Sequence, residues 1–423
     1  MRQVVCGNSS KPRLAAKISG FLGYCGAQRN RLAPSQIDFL ESEMTDLPTS
    51  NIQMLTLITP EGKLHLSLAD APVQAPREDQ VVVKVLAAPI NPSDLGLLVG
   101  AADMSTARAT QQHGRPAIEA EVSPAGMRAM AGRVGEAMPI GNEASGIVVA
   151  AGSSPAAQAL MGKTVAVLGG AMYTQYRTLP VQMCLPLPDG TNPRDGASCF
   201  VNPLTALGFV ETVKREGHTG IVHTAAASNL GQMLNRICLA DGMPLINVVR
   251  SQAQVDLLKG QGARYVLDST SASFMDDLTA ALVETGITCA FDAIGGGKLG
   301  AQILACIEAA AVKRMKEYSR YGSDTFKQLY IYGALDVSPT TLTRSFGFQW
   351  SVSGWLLTPF MQKVGPEVVE KMRARVVAEL TTTFASQYSH EISLEEALNL
   401  ETLHAFNAKR TGDKYLILPH KGD

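Results

Sequence analysis

The segment that most restricts the fold is residues 197–330, where helical and apolar strand-like stretches alternate without a break. A helix-like PLTALGFVETVKRE is followed by the strand GIVHTAA, the helix NLGQMLNRICLADG and the strand PLINVV. Then come QAQVDLLKGQG, RYVLDS and, after another helical stretch, CAFDAIGG. Such repetition specifies parallel strands, because each crossover helix returns the chain to the same end of the sheet. A doubly wound α/β layer is expected here, and its ligand belongs at the carboxyl ends of the strands.

The first strand of that series runs into HTAAASNLG, a loop poor in glycine. Holding a pyrophosphate needs a tight turn, small side chains where the phosphates approach, and N–H groups at a helix start, where the dipole favours negative charge. Ala226, Ala227 and Ser228 are small enough, and Asn229 tolerates unusual backbone angles. Leu230 follows, and Gly231 allows close helix–strand packing. An ordinary tight turn would look the same in isolation, and position separates the two readings. The second strand, PLINVV, ends roughly twenty residues on, where the cofactor's ribose would lie. An acidic residue there would accept from a ribose 2′-hydroxyl; the chain has Arg250 and Ser251, a cation and a hydroxyl suited to a 2′-phosphate. NADPH is thereby favoured over NADH, with a solvated strand-end arginine as the alternative.

Residues 54–152 contain the strand-like runs MLTLIT, KLHLSL and VVVKVLAA, separated by the turn sequences PEG and APRED. They suggest a small, mostly antiparallel sheet or barrel. An Ala-, Met- and Gly-rich stretch at 101–138 interrupts it and is expected to be a lid or a surface insertion. The expected divisions are 44–190 for a first lobe, 191–356 for the dinucleotide-binding layer and 357–423 for a return to the first lobe. That return includes a helix capped by Ser393 and a terminal strand at KYLILP.

Ahead of this, residues 1–37 hold six basic residues and no acidic one. A targeting segment, a disordered tail and an upstream start before Met44 all fit 1–43. The compartment is read as cytoplasmic, or organellar if that segment directs import. Lys and Arg number 37 against 38 Asp and Glu, so no overall field gathers nucleic acid or anionic lipid. No apolar run approaches the ~18 residues of a spanning helix. Neither a nucleic-acid nor a membrane partner is expected. The seven cysteines are scattered, which favours neither a disulfide framework nor a zinc knuckle.

Together with AAPINPSDLGLLVG (87–100), IGNEASGIVVAAG (140–152), VNPLTALGFV (201–210), INVVRS and KYLILP, the loop completes a set of motifs in an informative order. The set resembles the zinc-independent medium-chain dehydrogenase/reductases, above all their quinone oxidoreductase and 2-enoyl thioester reductase branches. The likeness implies a GroES-like, mostly-β substrate domain built from both chain ends, with a Rossmann doubly wound parallel sheet between them. It further implies an active site in the cleft and a homodimer joined edge to edge through the cofactor sheets. The reaction implied is hydride transfer from NADPH to a small-molecule acceptor, an enone, an enoyl thioester or a quinone.

Zinc-dependent relatives place a cysteine near Asn91 and a histidine where Asn142 stands; amides are poor zinc ligands, so no metal is expected. The resemblance puts Asn91 and Asp94 at the nicotinamide end of the cleft and Thr205 on the cofactor side. Gly295 and Gly333 fall in turns at the carboxyl edge of the sheet. Lys414 falls at a position that reaches the cofactor phosphates, and Trp355 near the substrate entrance. Plainer alternatives stand beside these: a capping role for Asp94, an early-helix hydroxyl for Thr205, a solvated Lys414 and a core Trp355. The two tyrosines usual in the similar reductases are absent, their places taken by Ala102 and Gly96. The proton donor is then sought in Tyr173 or Tyr176, in His113 of the insertion, or in solvent. Tyr173 is the candidate carried forward, because a phenol donates while neutral, with a half-buried strand tyrosine as the competing reading. The missing tyrosines also leave open a cofactor-binding protein with little turnover, acting as a sensor or a structural component.

Overall fold

The computed structural model describes residues 47–422, and the expectations for residues 1–43 lie outside them. Strands Ser50–Ile58 and Lys63–Pro72 pair antiparallel, Ile58 opposite Leu64. Their alternation is that of a half-buried pleat: Leu64, Leu66 and Leu68 point inward with 0% exposure. A second sheet is centred on Gln80–Pro89, which pairs with Glu143–Ala151 and Tyr176–Pro180. At its far end, Ala88 and Pro89, the same strand pairs with Tyr415–Ile417, and Tyr415–Ile417 pairs with His390–Ile392. The last residues thus complete a sheet begun by residues 80–89, and one apolar cluster runs from Met54 and Leu66 to Leu398 and Ile417.

The stretch 101–138 is not an irregular loop. Strands Ala102–Gln112 and Arg115–Val122 form a hairpin that pairs with Lys63–Pro72 and so widens the first sheet. Its two-residue turn, His113 and Gly114, has φ of 52° and 75°, the double left-handed geometry that matches the twist of paired strands. The outer strand is mostly exposed and built of Ala, Thr, Ser and Gln, so it carries little of the hydrophobic alternation by which a strand is recognised. His113 sits exposed at the tip.

Between the two parts of this lobe, strands Ile221–His223, Leu245–Val249, Tyr265–Asp268, Cys289–Asp292, Lys327–Ile331 and Trp350–Gly354 form one six-stranded sheet, every ladder parallel. Numbered along the chain, their spatial order is third, second, first, fourth, fifth, sixth, the doubly wound order expected of a Rossmann layer. Helices cover both faces, which is why Leu245–Val249 is buried at every residue and reads as a continuous apolar run. The helices Val201–Glu216 and Asn229–Asp241 stop at Gly217 and Gly242, both left-handed (φ 75° and 64°).

The return to the first lobe comes later than residue 357. Helices Leu357–Val364 and Pro366–Ala378 pack on Val201–Glu216, and Phe360, Met372, Val376 and Phe384 share a core with Phe209 and Ile221. Their apolar faces flank the parallel sheet, and the chain crosses back only at His390–Ile392. Ser393 caps a 3-10 turn, Glu396–Leu398, in a reciprocal box with Glu396. The helix that follows, Leu400–Asn407, has its own cap, Asn399.

Candidate cofactor and active site

At the end of strand Ile221–His223, Thr224 donates its hydroxyl proton to Asp292 Oδ1 (2.6 Å) and accepts from Ala293 N–H (2.9 Å). This ties the first strand to the fourth where the strand order reverses, the place at which open α/β sheets form their ligand crevice. Ala225 takes φ of 49°, a left-handed conformation that glycine adopts with less strain. Ser228 caps helix Asn229–Asp241, its Oγ accepting from Gly231 N–H at 3.1 Å. A Cβ on Gly231 would stand 2.2 Å from Ala226 O, so helix and loop approach as closely as only glycine permits. Ala226 is buried under this turn, whereas Ala227, Ser228, Asn229 and Leu230 line a large cleft.

That cleft, about 2400 Å³, also collects Asn91, Thr205, Arg250, Tyr332, Gly333, Trp355 and Lys414. Single ligand pockets are usually about 300–1000 Å³, so there is room for a dinucleotide and an acceptor together. Arg250 is exposed on its wall. Helix Gln252–Gly260 begins beside it, and Gln254 Nε2 donates to Thr411 Oγ1 at 2.7 Å, which brings the segment 408–413 to the same place. Lys409 and Arg410 of that segment line the cleft as well, two cations that sequence reasoning did not single out. Ser251 does not line it and serves as the backbone cap of Gln252–Gly260.

The two turn glycines divide. Gly333 lines the cleft, and a Cβ there would lie 2.5 Å from Ala293 O. Gly295 does not line it; its N–H closes the turn by donating to Asp292 Oδ2 at 3.1 Å. Thr205 is buried on the cleft wall early in helix Val201–Glu216. Trp355 is both a wall residue and part of the core, packed edge-on against Phe209 and Phe291 and tilted against Phe360, with its Nε1 donating to Thr212 at 3.1 Å.

Asn91 belongs to a buried polar network. Its Nδ2 donates to Glu143 Oε1 (2.8 Å), and its Oδ1 accepts from Asn202 Nδ2 (3.2 Å) and Lys414 Nζ (3.4 Å). The other Glu143 oxygen accepts from the N–H groups of Phe200 and Val201 at 2.8 and 3.0 Å. Lys414 is thus held against Asn91 and over the Tyr388 ring, 5.6 Å from its centroid. Burial pushes its ammonium down to about 8, with Glu143 and Asp94 opposing the shift. Among the described residues, no group of three or more His, Cys, Asp or Glu side chains is arranged to hold a metal ion.

Two expected catalytic groups lie behind the wall. Asp94 is 2% exposed and off the cleft; its oxygens accept from Asn91 N–H (2.8 Å) and Asn142 N–H (2.9 Å), the capping role. Burial raises its carboxyl to about 7, the neighbouring charge of Glu143 adding to the shift and the two N–H bonds resisting it. A carboxyl raised in this way contributes stability that is complete below 3.8 and lost as pH rises through about 7. Tyr173 is 0% exposed in the first lobe's core, its hydroxyl donating to Pro89 O at 3.2 Å. It does not line the cleft: it lies in the irregular segment ahead of strand Tyr176–Pro180, where Met172, Tyr173 and Thr174 are all 0% exposed. Tyr173→Phe is expected to lower stability by about 1 kcal/mol and to leave turnover unchanged. A fall in kcat without a fall in the melting midpoint would return it to the list of donors.

No family model matches the chain. Among curated proteins it resembles the mitochondrial enoyl-[acyl-carrier-protein] reductase of Rattus norvegicus, 28% identical over 208 residues. That match takes in 48% of this chain and 48% of the rat protein, so the chain spans about half the length of the curated relatives it matches. Among solved structures, a protein of Mesorhizobium loti assigned as an NADPH:quinone reductase is 26% identical, with a TM-score of 0.66 over 89% of this chain and all (100%) of that one. A mutant enoyl thioester reductase of Candida tropicalis, 19% identical, shares the fold with a TM-score of 0.60 over 87% of this chain and 99% of its own.

Proposed function

We propose that this chain, whose structural neighbours are NADPH:quinone reductases and enoyl thioester reductases of the medium-chain dehydrogenase/reductase superfamily, is itself an NADPH-dependent reductase acting without metal on an activated C=C bond or a quinone. The observation that carries the reading is one cleft bringing together a capped helix start of small residues, the exposed Arg250 and the Asn91–Lys414 pair. Residues 225–231 would hold the pyrophosphate, Arg250 with Lys409 and Arg410 the 2′-phosphate, and Asn91 and Thr205 the nicotinamide end. When bound, the reduced nicotinamide supplies a hydride. The protein's own part is to orient the acceptor, to exclude water and to hydrogen-bond the oxygen that gains charge.

The test is calorimetric titration with NADPH, followed by NADPH oxidation with a panel of quinones, enones and enoyl thioesters. Binding with turnover of at least one acceptor is expected. Binding with no turnover would favour the sensor reading, and no binding would end both.

We further propose a homodimer. Strand Trp350–Gly354 is an open edge of the parallel sheet, and Phe348 and Leu356 beside it are 79% and 65% exposed, an arrangement that edge-to-edge pairing would cover. Sedimentation should give twice the chain mass, and Phe348→Asp should shift it toward the monomer; a wild-type monomer at micromolar concentration would refute the arrangement. Among the described residues no helix is long and apolar enough to cross a membrane. For the compartment we propose the cytoplasm unless residues 1–43 direct import, which fusing them to a fluorescent protein decides.

A further inference from the structure

The absence of the usual tyrosines leaves a chemical question: which hydroxyl meets the substrate oxygen? Among the described residues, two tyrosines line the cleft, Tyr332 and Tyr415. Tyr415 lies in the terminal strand, its ring stacked on His390 at 4.4 Å. Tyr332 stands just past strand Lys327–Ile331, at the carboxyl edge of the parallel sheet and next to the wall residue Gly333. Its ring packs edge-on against Phe209 (4.8 Å between centroids), one turn along the helix from the wall residue Thr205.

The Tyr332 hydroxyl lies 2.7 Å from Nε2 of His223, whose ring is near-parallel to it at 16°. His223 is 0% exposed, and burial pushes its imidazole down to about 3, so the ring is neutral and carries one N–H. Which nitrogen holds that proton follows from the surroundings. Among the described residues, His223 Nδ1 is buried and has no hydrogen-bond partner. A buried N–H without a partner costs more than a lone pair without one. The favoured tautomer therefore has the proton on Nε2, from which it is donated to Tyr332 Oη. With its oxygen accepting from His223, the Tyr332 O–H is free to donate elsewhere.

From this geometry we propose that Tyr332 is the catalytic proton donor of the cleft and His223 its positioning residue. The inference rests on the reductase reading above. As the acceptor is reduced, its C=C electron pair is displaced toward the carbonyl carbon and the oxygen gains charge. The Tyr332 O–H bond breaks as its proton forms a new O–H bond on that oxygen, giving an enol that passes to the saturated carbonyl by exchanging that proton for one at carbon through water. The bonding pair stays on Oη, and the phenolate so formed is met by the Nε2–H of His223. Water in the cleft returns a proton to Oη, so the net uptake is one hydride and one solvent proton. Burial holds the Tyr332 phenol above its ordinary range, which keeps it protonated throughout the neutral region; transfer then depends on the charge that develops on the acceptor oxygen and on the His223 N–H that meets the phenolate.

The experiment has two readouts. In steady state, Tyr332→Phe should lower kcat by about 100-fold while the calorimetric Kd for NADPH stays within about twofold. Without NADPH, crotonyl-coenzyme A labelled with 13C at its thioester carbonyl should show a bound carbonyl signal displaced downfield in the wild type, and that displacement should be lost in Tyr332→Phe. His223→Gln, which keeps an N–H donor, should retain most of kcat, and His223→Leu should lose about tenfold with NADPH affinity intact. A Tyr332→Phe protein that binds NADPH and matches wild-type kcat overturns this proposal and leaves the reductase reading standing. A wild type that ignores NADPH overturns both. Equal loss in His223→Gln and His223→Leu would overturn the positioning role.

Discussion

Exchanging Arg250 for aspartate is expected to weaken NADPH binding by about 100-fold and NADH binding by less than about threefold. A guanidinium can give a phosphate two parallel N–H bonds, and a hydrogen bond between charged groups contributes about 1.5–3 kcal/mol, that is, about 10–100-fold. The carboxylate that replaces it adds repulsion toward the 2′-phosphate, a group that NADH lacks. Arg250 is exposed, so solvent screening keeps the effect near this figure and no higher. Lys409 and Arg410 line the same cleft and would retain some attraction. The contrast between the two cofactors should shrink in about 0.5 M salt, since a shorter screening length weakens exposed pairs first. Calorimetric titration of both cofactors at two salt concentrations reads all of this. Equal losses for NADPH and NADH would remove Arg250 from the 2′-phosphate site and leave Lys409 and Arg410 as the cations proposed there.

The parallel layer was legible because its strands are buried on both faces and its helices repeat with an apolar period, so LINVV and NLGQMLNRICLAD each announce their class. The tight, capped turn at 225–231, proposed above to hold the pyrophosphate, could be read as a turn as well, because the demands on it are local: small residues, a hydroxyl cap and one glycine. The hairpin over 102–122 could not. Its outer strand faces solvent along most of its length, and Ala, Thr and Gln there leave no alternation to detect. Tyr173 misled for the opposite reason. Chemistry alone allows it to be a donor, and only the packing of distant segments around it shows that it belongs to the core.

The same limit hid the groups that now matter most. His223 and Tyr332 are 109 residues apart in the chain. Nothing in either local sequence signals that the first and fifth strands bring the two side chains into contact across the sheet. Lys409 and Arg410 carry no signal of their own in the sequence, and it is the neighbouring Gln254–Thr411 bond that ties their segment to the cleft. Distance in sequence, more than any weakness of the local pattern, separates what could be foreseen from what could not.

Glu143 shows how such a non-local group can dominate stability, and Glu143→Ala is expected to cost the fold about 4–6 kcal/mol. The carboxylate is 0% exposed and receives Asn91 Nδ2 and the N–H groups of Phe200 and Val201. Burial alone pushes its pKa up, and these donors together with the nearby Lys414 ammonium oppose the shift. Truncation removes the acceptor and leaves two buried donors, Asn91 Nδ2 and Phe200 N–H, and the part-buried Val201 N–H, a buried donor costing about 1–3 kcal/mol when unpaired. It also strips a buried cation of its counter-charge, a change that typically costs about 3–5 kcal/mol. These contributions overlap, which is why the expected total is less than their sum. The melting midpoint should fall by roughly 10 °C. Glu143→Gln keeps one oxygen for the Phe200 and Val201 N–H groups and should recover about half of the loss, though not the charge opposite Lys414. Because Asn91 is held by Glu143, the alanine variant should also bind NADPH more weakly at temperatures where it remains folded. Denaturant midpoints for the two variants, with NADPH titrations at 10 °C, check the argument. A loss below about 1 kcal/mol for Glu143→Ala would mean that rearranged side chains can satisfy those donors, and Asn91 would then owe its place to something other than this carboxylate.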